Sequence, residues 1–274
     1  MSILTPSNAK SWMRTYGKVE SVPVNEVRSG IKIGIFAPGG TGKTTLVGTL
    51  CDSELGWPIA YLNARGNPNV ISSRADKVQV FDIDTFKRVE EIRQDMLRDR
   101  DFPFKTIVID NVSELLAIDL RDIYGPTRDI EWTMHSASTA DILQMVRNFC
   151  DMADDPRFNV NVVFTFWEVG ETRKLGFKEV NRSELALNKA LQSQVPGILN
   201  WLGRLYIDDE KTYTRKLDFR PVETLHVAKH QVDPDDEWAR QVPMEIWNPS
   251  LGTILDTLKG HVPFPRERHT LKGR

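Results

Sequence analysis

The chain has 274 residues, of which 40% are hydrophobic and 27% are charged, with 17 Gly and 15 Pro. This ordinary globular composition excludes a collagenous, disordered or coiled-coil protein. The 36 basic and 38 acidic residues give a net charge of -2, so any nucleic-acid surface has to be local. The two cysteines, Cys51 and Cys150, lie far apart and without a partner at metal-ligand spacing. This favours a reducing, cytoplasmic setting over a disulfide scaffold or a zinc site.

Changes in charge along the chain predict three segments. Residues 1–30 are polar and mildly basic, and we interpret them as an N-terminal arm. Residues 31–260 are predicted to form one domain, and residues 261–274, with four basic residues against one acidic residue, form a basic C-terminal tail. Since no apolar run is long enough to span a bilayer, we expect a soluble protein without a membrane partner.

From residue 31 onwards, short apolar runs alternate with helical patterns, which is typical of parallel βα units. Strands are predicted at Ile31–Phe36, Pro58–Leu62, Val78–Asp82, Thr106–Asp110 and Asn159–Trp167. Helices are predicted at Lys43–Cys51, Thr85–Leu97, Val112–Ile123 and Ala140–Met152. Further segments follow: a polar loop over Glu168–Gln194, a helix over Pro196–Leu202, and antiparallel strands at Arg204–Ile207, Thr212–Leu217 and Thr224–Ala228. The pattern predicts an α/β fold with a mainly parallel sheet, flanking helices and C-terminal antiparallel strands.

The most specific motif is APGGTGKT at residues 37–44, between the first predicted strand and the first predicted helix. It matches the phosphate-loop pattern, with Ala37 in the first position in place of Gly. Glycines let the main chain wrap a phosphate, and the loop amides and the helix N-terminus stabilise its charge. Lys43 would reach the β- and γ-phosphates, and the Thr44 hydroxyl would bind Mg²⁺. The predicted nucleotide-binding residues are Pro38, Gly39, Gly40, Thr41, Gly42, Lys43, Thr44 and Thr45.

A second element is the strand TIVID, which ends in Asp110. A buried strand of this kind delivers its last carboxylate to the carboxyl edge of the sheet, where α/β proteins bind ligands. After a phosphate loop, such a carboxylate is the expected partner of Mg²⁺. We therefore predict that Asp110 joins Thr44 in holding the metal.

The order of these motifs resembles the ATPase core of RecA-like proteins. The phosphate loop is followed by PIAYLNARG, KVQVFDIDTFKRVEEI, FKTIVIDNVSELL and NVNVVFTFWEVGETR. Over about residues 30–230 the chain is most similar to phage and prophage RecA-core ATPases, also described as single-strand annealing proteins. This resemblance implies a RecA-like P-loop fold, Mg²⁺-dependent ATP hydrolysis and a homo-oligomeric ring or filament on single-stranded DNA. It also implies annealing or recombination, a single-strand binding protein as a partner, and the bacterial host cytoplasm if the protein is phage-encoded.

Two positions depart from the RecA-like pattern. Many RecA-like enzymes place a water-activating Glu near the end of the second strand, whereas this chain has Arg65, which cannot act as a general base. Where the family has a Gln or His that senses the γ-phosphate, this chain has Trp167 followed by Glu168. Glu168 is the candidate for a water-orienting carboxylate, with a solvated loop residue as the alternative.

The resemblance also assigns DNA-binding and inter-subunit roles. The stretch Glu168–Gln194 occupies the position of a mobile DNA-binding loop, in which cations would neutralise phosphates and an aromatic ring would stack on a base. Its candidates are Arg173, Lys174, Phe177, Lys178 and Arg182. Lys229 follows the last predicted strand, where family members present a cation to the nucleotide of the next subunit. A polar surface loop and a solvated lysine are the alternatives.

Three function classes remain open at the level of the sequence. The first is a DNA-dependent ATPase in which Lys43, Asp110, Glu168 and Lys229 act in catalysis. The second is a nucleotide-gated assembly protein with little or no hydrolysis, which Arg65 favours. The third is a P-loop kinase, which would want an Arg-rich lid that closes on the phosphate donor.

Overall fold

The structure is a computed structural model that describes residues 30–125, 132–175, 178–209, 211–222, 225–231, 235–260 and 262–265. Apart from Gly30 and residues 262–265, the predicted N-terminal arm and basic tail lie outside these ranges. Within the described ranges, every helix is too short or too polar to cross a membrane.

The described residues form a ten-stranded sheet. Its strands are β1 (Lys32–Ala37), β2 (Ile59–Asn63), β3 (Val78–Asp82), β4 (Thr106–Asp110), β5 (Asn161–Leu175), β6 (Lys178–Leu185), β7 (Trp201–Asp209), β8 (Thr214–Asp218), β9 (Lys229–His230) and β10 (Glu245–Trp247). The strand order is β10-β8-β7-β1-β5-β4-β2-β3, with β6 paired to β5 and β9 paired to β7. Strands β7, β1, β5, β4, β2 and β3 are parallel, and β6, β8, β9 and β10 pair antiparallel. This confirms the predicted fold class.

Helices cover both faces of the sheet. They are α1 (Lys43–Gly48), α2 (Phe86–Arg98), α3 (Val112–Tyr124), α4 (Trp132–Asp154), α5 (Lys189–Ile198) and α6 (Leu251–Leu258). Ile107 and Ile109 of β4 pack into one hydrophobic cluster with α2, α3, α4 and α5. Val108, between them, packs on the opposite face with α1 and α6. Because both faces are buried, the central strands read as nearly continuous apolar runs.

The first four strands lie where the sequence predicts them, and the fifth is longer. Strands β3 and β4 have the predicted bounds, and β1 and β2 are shifted by one residue. Strand β5 continues past Trp167 to Leu175. Its first half pairs in parallel with β1 and β4, and its second half pairs antiparallel with β6.

The predicted polar loop over Glu168–Gln194 is wrong. Its described residues form the hairpin of β5 and β6 and the beginning of α5. The register places Glu171 opposite Arg182 and Lys174 opposite Glu179. The side chains of Glu171 and Arg182 form ion pairs with other residues, Lys189 of α5 and Glu184 of β6. The sequence looked loop-like because the hairpin carries polar residues in place of an alternating apolar face.

The C-terminal predictions also need correction. The predicted helix Pro196–Leu202 is wrong, because α5 begins after Asn188, whose side chain accepts a hydrogen bond from the Leu191 amide, and ends at Ile198. Strand β7 begins at Trp201 and runs parallel to β1. In the described part of the predicted strand Thr224–Ala228 no strand forms, and the short β9 follows it. Strand β10 and helix α6 were not predicted.

Buried Asp119 of α3 makes the stability of the fold depend on pH. Its side chain is 3% exposed, and burial, aided by the carboxylates of Asp141 and Asp122, raises its pKa from 3.8 to about 6. A raised pKa means that the folded state favours the neutral carboxyl. The contribution of the neutral Asp119 carboxyl to the stability of the folded state is therefore complete below about pH 4. It is lost as the pH rises through about 6.

We expect Asp119→Asn to stabilise the protein at pH 8, because the amide replaces a buried charge with a neutral group of the same shape. A shift of about two pKa units corresponds to a gain of at most about 3 kcal/mol in the free energy of unfolding. Urea denaturation at pH 8 and pH 4.5 measures it, and the gain should shrink at the lower pH. The control is Asp95→Asn, at an exposed position of α2. An equal change at both pH values would contradict the expectation.

Candidate functional site

The phosphate loop is built as the motif predicts, between β1 and α1. Gly40 and Gly42 have φ angles of 78° and 98°, in the left-handed region that glycine adopts without strain. Residues Pro38, Gly39 and Gly40 are exposed at the top of the loop. Gly42 precedes α1 and supplies no side-chain cap. The loop therefore presents main-chain amides and the start of a helix to solvent, which is an arrangement that binds anions.

Lys43 lies folded back onto its own loop. Its Nζ atom donates hydrogen bonds to the carbonyl oxygens of Ala37 (2.9 Å) and Pro38 (3.2 Å), and the residue is 8% exposed. Burial lowers the pKa of Lys43, while the negative charges of Asp110 and Glu168 oppose the shift. The amine is thus held at the site by weak, neutral acceptors, which an anionic phosphate oxygen can replace.

Thr44 and Asp110, the predicted metal ligands, are in direct contact. The Thr44 Oγ1 atom donates a hydrogen bond to Asp110 Oδ2 at 2.8 Å, and Asp110 is 4% exposed. The contact arises because β1 and β4 run parallel on either side of β5 and end at the same edge of the sheet. A hydroxyl and a carboxylate oxygen side by side are hard oxygen donors of the kind that Mg²⁺ prefers. The residues present therefore fit the metal that the motif implies.

Two further hydroxyl groups hold the Asp110 carboxylate, and the sequence predictions missed both. The Tyr61 hydroxyl of β2 donates to Asp110 Oδ2, and the Thr165 hydroxyl of β5 donates to Oδ1. Burial raises the pKa of Tyr61, and the negative charge of Asp110 adds to the shift, so Tyr61 remains a hydrogen-bond donor. The sequence signal for Thr165 is a polar residue within the apolar run VVFTFW, whereas the role of Tyr61 depends on strand order.

Glu168, the predicted water-orienting residue, forms a tight ion pair. Arg204 of β7 donates to Glu168 through Nε (2.9 Å to Oε2) and Nη2 (2.8 Å to Oε1). The Ser183 hydroxyl of β6 donates to the same Oε1 atom at 2.8 Å. Glu168 stands where β5 leaves the parallel sheet and enters the hairpin, since Trp167 is the last residue paired with β1. Arg204 was not among the predicted site residues.

Arg215 of β8 is hydrogen-bonded to the main chain of the phosphate loop. Its Nε atom donates to the Thr41 carbonyl oxygen at 2.9 Å. The guanidinium lies so close to Gly42 that a Cβ atom at that position would approach Nε to 2.9 Å. Glycine is required at position 42 by its backbone angle, whereas the guanidinium at the end of the flexible Arg215 side chain can shift. The sequence gives no signal for Arg215, because its position results from the pairing of β7 with β8.

The structure does not gather the other predicted residues at the phosphate loop. Arg173, Lys174 and Lys178 belong to the hairpin strands, and Phe177 lies outside the described residues. Arg182 contacts Glu184, with 3.0 Å between Nε and Oε1.

Lys229 donates from Nζ to the Gly197 carbonyl oxygen at 3.1 Å. Because β9 pairs with β7 at Leu202 and Trp201, and Trp201 lies opposite Ile33, Lys229 is near the amino edge of the sheet. Its role in a neighbouring subunit stays a prediction.

A loop that presents main-chain amides, an adjacent lysine and a contacting Thr–Asp pair at the carboxyl edge of a mainly parallel α/β sheet are together typical of a P-loop nucleotide-binding protein. Residues 29–231 match the family model AAA_24, described as "AAA domain". This match covers more than half of the chain, and the protein belongs to that family. It supports the predicted class of P-loop ATPase, whereas the assignment to a phage or prophage group stays a prediction. No curated protein matches the chain.

Two solved structures are similar to this chain at low sequence identity. The RadB recombinase is 16% identical with a TM-score of 0.46, over 81% of this chain and 87% of that chain. A prototypical ATPase from the type III secretion system of pathogenic bacteria is 17% identical with a TM-score of 0.45. The second similarity covers 65% of this chain and 51% of that chain. At these values neither structure informs the activity of this chain.

The Thr44–Asp110 pair predicts a specific effect of Thr44→Val. The change removes the hydroxyl and keeps the shape, while Asp110 retains its bonds from Tyr61 and Thr165. We expect ATP affinity in the presence of Mg²⁺ to fall about tenfold, and affinity in EDTA to stay unchanged. Calorimetric titration under both conditions measures this, with Thr212→Val at an exposed position as the control. Equal losses with and without Mg²⁺ would count against the metal assignment.

Proposed function

We propose that this protein binds Mg²⁺–ATP at the phosphate loop, hydrolyses it slowly, and assembles as a homo-oligomer on single-stranded DNA to promote annealing or recombination. The observation that carries the nucleotide part is the contact between Thr44 and Asp110 beside the left-handed glycines of the loop. The DNA part rests on the resemblance of the sequence and on the hairpin that continues from β5.

The loop residues bind and orient the triphosphate. Main-chain amides of residues 39–45 would hold its oxygens, and Lys43 would leave the carbonyl groups of Ala37 and Pro38 to pair with them. Mg²⁺, held by Thr44 and Asp110, supplies neutralisation of phosphate charge when it is bound. Tyr61 and Thr165 fix the orientation of the Asp110 carboxylate by donating a hydrogen bond to each of its oxygens.

Glu168 is the residue that we propose orients the attacking water. An ionised carboxylate has about four lone-pair sites, and Arg204 and Ser183 use three of them here. One site remains for a water molecule, in a carboxylate whose orientation the ion pair fixes. Because hydrogen bonds from Arg204 occupy both carboxylate oxygens of Glu168, we expect hydrolysis to be slow.

The hairpin is the proposed DNA-binding element. It is an extension of β5, whose Trp167 lies opposite Ala37 at the start of the phosphate loop. DNA held by Arg173, Lys174 and Lys178, with Phe177 stacked on a base, would therefore be linked to the nucleotide through a single strand. Arg182 would take part only by exchanging its contact with Glu184 for a phosphate.

Assembly would complete the site. Lys229 lies near the sheet edge opposite the phosphate loop, so a head-to-tail contact between subunits would bring it towards the neighbour's nucleotide. A single-strand binding protein is the proposed partner that presents the DNA.

A nucleotide-gated assembly protein without turnover is the second candidate. Arg65 favours it, because this exposed residue, with a φ angle of 56°, follows β2 at the place where a catalytic carboxylate was expected. The paired state of Glu168 favours it as well. In that case ATP would act as a structural ligand of the assembled state.

Phosphate release with and without single-stranded DNA distinguishes the two candidates. For the first, we expect DNA to raise the rate at least about fivefold, and Glu168→Gln to lower it at least about tenfold while ATP binding is retained. The matched control is Glu91→Gln on the surface of α2. ATP binding without phosphate release would favour the second candidate, and the absence of ATP binding would contradict both.

A further inference from the structure

A small cavity of about 160 Å³ lies beside the phosphate loop and has no role in the chemistry described so far. It is formed by α1, by β8 and by the turn between β10 and α6. Its lining residues are Thr45, Leu46, Thr49, Arg215, Asn248 and Pro249.

The cavity is continuous with the phosphate loop through two residues. Thr45 directly follows the loop motif, is one of the predicted nucleotide-binding residues, and also lines the cavity. Arg215 lines the cavity and donates a hydrogen bond to the Thr41 carbonyl oxygen of the loop. A nucleotide whose phosphates lie on the loop would therefore have its nucleoside part within reach of this cavity.

The turn between β10 and α6 forms the cavity wall opposite α1. Hydrogen bonds hold this turn to β8 and to the 3₁₀ turn that follows α1. Asn248 has a left-handed φ angle of 44°, and its amide donates to the Arg215 carbonyl oxygen at 2.8 Å. Three residues on, the Leu251 amide donates to the Thr49 hydroxyl of the 3₁₀ turn after α1 at 2.8 Å. The turn is therefore organised before any ligand binds, which lowers the entropic cost of binding.

The lining chemistry suits a flat heterocycle. The Arg215 guanidinium is planar and stacks on aromatic faces, and the Pro249 ring provides an apolar surface. The Asn248 side chain offers one carbonyl acceptor and one amide donor group. The volume lies below the about 300 to 1,000 Å³ of clefts that enclose a whole drug-sized ligand. It therefore suits one base, with the sugar and phosphates lying outside.

Given nucleotide binding at residues 37–44 as proposed, we propose that this cavity receives the nucleobase and that Asn248 selects adenine over guanine. An Asn amide matches the adjacent N6 donor and N7 acceptor of adenine. Guanine presents two acceptors, O6 and N7, along the same edge, so the Asn248 carbonyl oxygen would face another acceptor. Asn248 is thus the specificity-determining residue of the nucleotide site.

The test is the change of Asn248→Gly, which suits the left-handed backbone at this position and removes the whole side-chain amide. Calorimetric titrations of the full chain with Mg²⁺ and ATP, GTP or inorganic tripolyphosphate are compared. For the unchanged protein we expect ATP to bind about tenfold more tightly than GTP, and more tightly than tripolyphosphate. Asn248→Gly should bring the ratio of ATP to GTP affinity to about one, because the carbonyl oxygen that accepts from N6 of adenine and faces O6 of guanine is removed.

Asn159→Gly is a closely matched control. Asn159 is also exposed and left-handed, with a φ angle of 46°, and it precedes β5 at the opposite edge of the sheet. This control should leave the ratio of ATP to GTP affinity unchanged.

Two results would overturn the proposal while leaving the phosphate site intact. One is equal affinity of the unchanged protein for ATP and tripolyphosphate. The other is a ratio of ATP to GTP affinity that stays unchanged in Asn248→Gly, because the selection would then lie outside this side chain. If the unchanged protein binds none of the three ligands, the proposed function itself fails, and the base assignment fails with it.

Discussion

The hydrogen bond from Thr44 to Asp110 is the interaction on which the functional site depends. It joins the phosphate loop after β1 to the end of β4, two strands that lie on either side of β5. Only a parallel sheet, with the carboxyl ends of its strands at one edge, brings these distant residues together. The helices on both faces keep that edge in register by burying β1, β4 and β5.

The surroundings of this pair explain how the site can bind a triphosphate without an excess of positive charge over the whole protein. Tyr61 and Thr165 orient the Asp110 carboxylate by hydrogen bonds. The Lys43 amine is hydrogen-bonded to neutral carbonyl groups of its own loop. Arg204 forms an ion pair with Glu168 where the hairpin begins. Arg215 donates a hydrogen bond to the Thr41 carbonyl oxygen of the phosphate loop. The cations are placed singly around the loop, so the electrostatic attraction is local.

What the sequence predicts is local, and what it misses depends on pairing between distant segments. The strands and the phosphate loop could be predicted because apolar runs and a contiguous motif carry them. Arg204 and Arg215 could not be predicted as site residues, because β7 and β8 bring them to the loop from more than 160 residues away. The hairpin was interpreted as a loop since its residues, such as Glu171 and Arg182, are polar on both strands. Pro196 suggested the start of a helix, although it lies in the last turn of α5.

Amide hydrogen exchange of the phosphate loop, with and without saturating Mg²⁺–ATP, tests the central claim most directly. If the main-chain amides of residues 39–45 hold the triphosphate, their exchange slows strongly when the nucleotide is present. Segments at the amino edge of the sheet, such as the beginning of β7, should keep their exchange rates. Unchanged exchange in the loop at saturating nucleotide would contradict the account.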